Sequence, residues 1–91
     1  AMNDEMAVGV YDAAKEAGLR IPEDVSVTGF DNAEIIQHLS PRIMTAERPL
    51  QKMGHCSAEI LLEHIHGKAK EGRNVILPCK IIKGESVYLR K

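Results

Sequence analysis

Few side chains in this sequence stand at spacings that could do chemistry, and each such group has a plain structural reading beside the functional one. His55, Glu59, Glu63 and His66 fall four, four and three residues apart, so on a helix they share one face. That face could hold a metal, but no Cys or ligand from another element completes a tetrahedral shell. The same spacing suits solvated i,i+4 pairs. His64 and His66 form a His-x-His whose rings point apart on a helix. Cys56 directly follows His55, and adjacent helical residues do not face each other, which argues against a thiolate–imidazole nucleophile. Asp31-Asn32 is a different case. It closes the run Val25-Ser26-Val27-Thr28-Gly29-Phe30, and open parallel α/β sheets bind ligands beyond the carboxyl ends of their strands. The same dipeptide also suits an Asx turn. No Gly-rich phosphate loop, Gly-x-Ser-x-Gly or His-Glu-x-x-His occurs, so neither metal, cofactor nor enzymatic activity is expected.

The elements that would position these residues follow from the pattern. Asn3 is a good N-cap, and Asp4 and Glu5 suit the positive end of a helix dipole. Met6, Ala7, Val10, Ala14 and Ala17 recur at helical spacing and Gly18 supplies a left-handed stop, which predicts a helix over 4–17. Residues 25–30 read as a short buried strand, 33–39 as a short helix stopped by Ser40-Pro41, and 43–46 as another strand. A second helix is predicted over 50–66, with Leu50, Met53, Ser57, Leu61, Leu62 and Ile65 as its apolar stripe and Gly67 as its cap. Residues 68–73 read as a polar turn, and 75–77 and 80–82 as strand runs on either side of Pro78.

Composition narrows the class further. The chain has 91 residues, 44% hydrophobic and 27% charged, which fits one small globular domain at most. Aromatic residues are 3% with no Trp, and the net charge is −1 from 12 basic and 13 acidic side chains. That is thin for base stacking and unsuited to gripping a phosphate backbone. No apolar run approaches the roughly 18–20 residues that span a bilayer, so no membrane contact is expected. The polar start at Asn3-Asp4 predicts no secretory leader. Two cysteines, Cys56 and Cys79, are too few for a disulfide scaffold and predict a reduced, cytoplasmic setting. The strands are few and short, whereas parallel strands need neighbours on both sides, which suggests part of a larger protein.

Longer segments carry a family likeness. Asn3-Asp4-Glu5-Met6-Ala7-Val8-Gly9, the stretch from Ala17 to Asn32, Leu39-Ser40-Pro41-Arg42-Ile43-Met44-Thr45, Pro49-Leu50, Met53-Gly54, Ala58–Leu62, Leu77-Pro78 and Gly84-Glu85-Ser86 together resemble the effector-binding core of LacI/GalR transcription regulators. The resemblance spans nearly the whole chain, in order. It implies an α/β, periplasmic-binding-protein-like fold of two lobes, each a parallel sheet flanked by helices. It also implies that residues 1–46 belong to the second lobe, about 47–77 to a return segment of the first lobe, and about 78–91 to a final crossing back. A DNA-binding helix-turn-helix is absent from the chain.

The same resemblance implies a sugar-like effector contacting Asn3, Asp31 and Leu50, a homodimer, and operator DNA bound through an N-terminal domain. The chemistry is compatible, since a carboxylate can accept from two vicinal hydroxyls at once. The residues alone equally suit a pure cap for Asn3, a turn residue for Asp31 and core for Leu50. Dimer contacts are implied for Ala7, Val8, Tyr11 and His38; the alternatives are the chain's own core for Ala7 and Val8 and a solvated ring for Tyr11. Arg48 stands where many relatives have Gln, and Leu50 where some have an aromatic residue, which leaves the effector's identity open. A second reading is the sugar-binding component of a transport system; a secretory leader upstream would favour it, a helix-turn-helix the regulator.

Overall fold

Local capping chemistry sets the first helix. Asn3 has extended backbone (φ −148°), and its Oδ1 accepts from the N–H of Met6 at 2.8 Å, satisfying one of the free amides of the first turn. Helix α1 then runs over Asp4–Glu16. It ends in a Schellman closure, in which Gly18 (φ 70°) and Leu19 donate to the carbonyls of Lys15 and Ala14 at 3.2 and 2.8 Å. A side chain at a left-handed φ is strained, which is why Gly ends the helix. The computed structural model describes residues 1–68 and 72–89, so residues 69–71 of the expected polar turn lie outside the described residues.

The chain forms two compact units, Ala1–Arg48 with Lys80–Lys91, and Pro49–Cys79. In the first, α1 is followed by a 3-10 turn at Glu34–His38, where a short helix is expected, and by strand β1 (Thr45–Glu47). Strand β2 (Lys80–Ile82) pairs antiparallel with β1, Thr45 opposite Ile82. The expected parallel sheet is therefore not what the regular strands form. Among the described residues, parallel pairing survives only as an isolated bridge between Thr28 and Met44.

The strand expected over 25–30 is likewise reduced to that bridge, and its partners explain why. The carbonyls of Thr28 and Phe30 accept from the Ala1 ammonium and the Asp4 amide, at 2.7 and 3.0 Å. Gly29 and Asp31 donate the other way, to Met44 and Ala46, at 2.9 and 2.8 Å. At Val27 the partner changes to Ser86. That residue's carbonyl takes the Val27 amide at 2.9 Å, while its hydroxyl donates to the Val27 carbonyl and accepts from the Met44 amide at 2.8 Å. One hydroxyl replaces a ladder rung. Gly84 makes this approach possible, because a Cβ there would meet the Arg42 and Ile43 backbone at about 2.5 Å.

Ala7, Tyr11, Val27, Ile36 and Ile43 form the buried core of this unit, with Ile21, Val25 and Leu39 packed against it. The second unit has a different character. Helix α2 spans Leu50–Ile65, close to the predicted 50–66, yet it contains no buried residue. The predicted apolar stripe is present but uncovered, with Leu61 and Ile65 at 60% and 66% exposure. Val75-Ile76-Leu77 forms no strand and has no ladder partner among the described residues.

Candidate functional site: the Asp31 turn

The segment 27–30 delivers Asp31 to a turn in which two consecutive non-glycine residues have positive φ, Asp31 at 121° and Asn32 at 59°. Such conformations are uncommon for L-residues, and Asn and Asp are among those that tolerate them. The Asp31 carboxylate does not close an Asx turn. Its Oδ1 pairs with Arg48 Nη2 at 3.0 Å, with side chains 29% and 42% exposed. A carboxylate and a guanidinium thus stand side by side at the surface, one accepting hydrogen bonds and the other donating.

The turn is anchored from below. Asp4 is completely buried. Its Oδ2 accepts from the Ala33 amide at 2.7 Å and its Oδ1 from the Thr45 hydroxyl at 2.8 Å. Thr45 Oγ1 also receives the Asn32 amide at 3.4 Å, and Asn32 Nδ2 reaches Glu47 Oε1 at 3.5 Å. From sequence, Asp4 is a helix-dipole residue, and its burial was missed. The available signal was Gly29 inside an apolar run, since a strand glycine often marks another group's close approach. A Cβ at Gly29 would drive into the Asp4 carboxylate. Arg48 as the partner of Asp31 was also missed.

Asn3 stays half-buried with its side-chain oxygen engaged as the α1 cap, and α1 begins where the Asp4 amide meets Phe30, so Asn3 and Asp31 belong to neighbouring stretches of one unit. Leu50 opens α2 in the other unit and is 60% exposed, not core. The four residues implied at a dimer surface divide evenly. Ala7 is fully buried and Tyr11 is 8% exposed within the chain's own core, as the alternative reading of Ala7 has it. The solvated ring considered for Tyr11 is corrected. Its hydroxyl donates to the Pro41 carbonyl at 2.8 Å, and burial pushes the phenol's pKa up, opposed by a contact with Ser86. Val8 is half-buried and His38 exposed.

Three of the four residues on the histidine face of α2 stand in ion pairs. His55 Nε2 meets Glu59 at 2.9 Å, and Arg73 meets both oxygens of Glu63 at 2.9 and 3.0 Å. No group of three or more His, Cys, Asp or Glu suited to a metal occurs among the described residues. Cys56 is half-buried and Cys79 exposed, both as free thiols. No helix among the described residues is long and apolar enough to cross a membrane.

Residues 1–87 match the Periplasmic binding protein-like domain. The chain is 40% identical to the HTH-type transcriptional repressor PurR of Vibrio atlanticus over 93% of its own length, and spans about a quarter (25%) of that repressor. It superposes on the LacI family transcriptional regulator of Enterococcus faecalis with bound ribose at a TM-score of 0.79 and 40% identity, covering 93% of this chain and 32% of that one. It superposes on the Lac repressor dimer bound to operator and the anti-inducer ONPF at 0.83 and 34% identity, covering 94% and 30%. The chain therefore belongs to the periplasmic binding protein-like domain family, in the branch of the LacI-type transcription regulators.

Proposed function

We propose that this chain forms part of the effector-binding and dimerising core of a cytoplasmic transcription repressor, and that Asp31 is a polar contact for a sugar or sugar-like effector. The observation that carries this is the half-exposed Asp31–Arg48 pair on its positive-φ turn. Vicinal hydroxyls both donate and accept, so an acceptor beside a fixed donor suits them. The regulators among its relatives, one with ribose bound and one on operator, favour this reading over a transport component. The unit Ala1–Arg48 with Lys80–Lys91 would lie in the second lobe and Pro49–Cys79 in the first. Asn3 would add a backbone-proximal polar contact and Leu50 an apolar one. Val8 and His38 would face a second copy, and operator DNA would be held by an N-terminal domain. The chain is read as a binding module, not an enzyme.

Effector binding changes operator affinity only if the two conformations bind effector unequally. The test uses the full-length regulator, with D-ribose as first probe in calorimetry and operator anisotropy as second readout. Asp31→Asn should weaken ribose binding by about tenfold or more, as expected for a charged hydrogen bond, while operator affinity without sugar stays unchanged. Equal affinity in wild type and variant would remove Asp31 from the pocket. The isolated 91 residues should give no measurable heat with ribose, because they span only about a third of a lobed effector domain.

A further inference from the structure

We infer that Asp4 is a positioning residue for Asp31: its buried carboxylate clamps the Asp31-Asn32-Ala33 turn to β1 and so fixes where Asp31 and Arg48 are presented. The inference rests on the effector reading of Asp31. A first-turn carboxylate serves the helix dipole from solvent, as exposed Glu5 can, so the dipole alone does not account for a wholly buried Asp4. Burying a charge is costly unless it is fully hydrogen-bonded. Both Asp4 oxygens are occupied, one by the Ala33 amide and one by the Thr45 hydroxyl, and Thr45 in turn takes the Asn32 amide. The two residues that follow Asp31 are thus tied to one carboxylate and one hydroxyl. The turn needs such ties, because two successive positive φ values persist only where surrounding contacts over-determine them. Gly29 completes the device by leaving room for the carboxylate.

The test again uses the full-length regulator, by hydrogen–deuterium exchange over residues 30–34 and by D-ribose calorimetry. Asp4→Ala should speed exchange in that segment and raise the ribose Kd by about tenfold, and combining it with Asp31→Asn should give much less than the product of the two losses. Asp4→Asn should stay within about threefold of wild type, since its amide can accept from Ala33 while donating to Thr45 Oγ1. A merely structural role would leave the two losses independent, and that outcome overturns the proposal, as does unchanged exchange or unchanged affinity in folded Asp4→Ala. Should Asp4→Ala not fold, Thr45→Val carries the same test by removing one hydroxyl. If wild type binds no ribose, or Asp31→Asn binds it normally, the effector reading fails instead, and the exchange result alone decides whether Asp4 holds the turn.

Discussion

The two units differ in where their apolar surface goes. The first closes a core around Ala7, Tyr11, Val27, Ile36 and Ile43, while α2 in the second leaves its whole stripe uncovered. Both helices carry a comparable amphipathic pattern, so the pattern alone does not create burial; a facing element does. A helix of this length is marginal in water without packing. Among the described residues, the first unit supplies the facing elements that bury its helix, and α2 has none.

The widest test sets Ile43→Ala, at a position only 3% exposed, against Ile65→Ala at 66% exposure. The first should cost about 2–5 kcal/mol in urea unfolding, as for other buried aliphatic truncations. In the 91-residue chain, where that face is uncovered, the second should fall within about 0.5 kcal/mol of wild type. Equal losses would break the comparison. Asn3→Ala should cost about 1 kcal/mol through the lost cap, read from the same curves.

Tyr11→Phe should cost about 1 kcal/mol through its bond to the Pro41 carbonyl. It also has a pH signature. Burial raises the Tyr11 phenol above its ordinary 10.0, so the folded chain favours the neutral form. That contribution is fully present below 10.0 and is lost as pH rises through the folded pKa. The variant should therefore lose less stability than wild type on going from neutral to strongly alkaline pH. The smallest effect belongs to Glu59→Ala, whose pair with His55 is well exposed; melting should detect about 0.5 kcal/mol or less.

What was legible in the sequence follows the range of the forces involved. The ends of α1 were readable because Asn3 and Gly18 act on residues two to five positions away. The C-terminal end of α2 was readable for the same reason, since Gly67 and Lys68 donate to the carbonyls of His64 and Glu63, whereas its start at Pro49 has no side-chain cap. The sheet was not, because whether 25–30 pairs as a strand depends on Ser86 and Met44, which are distant in the chain. Family likeness pointed to Asp31, but nothing local named Arg48 as its partner. Likewise, a first-turn Asp looks the same whether it faces water or is sealed beneath a turn, and only Gly29 hinted at the second. Ala7 and Tyr11 sit on the helix face that an interface would also use, so spacing could not separate a partner's surface from the chain's own interior.

The Ser86 rung has a consequence for synthesis on the ribosome. The first unit needs that hydroxyl to satisfy Val27 and Met44, yet the ribosome must translate all of Pro49–Cys79 before Ser86 emerges. Until then the nascent amino-terminal portion holds an open polar seam beside its oily interior. Completion of the first unit therefore waits on residues translated after the whole second unit.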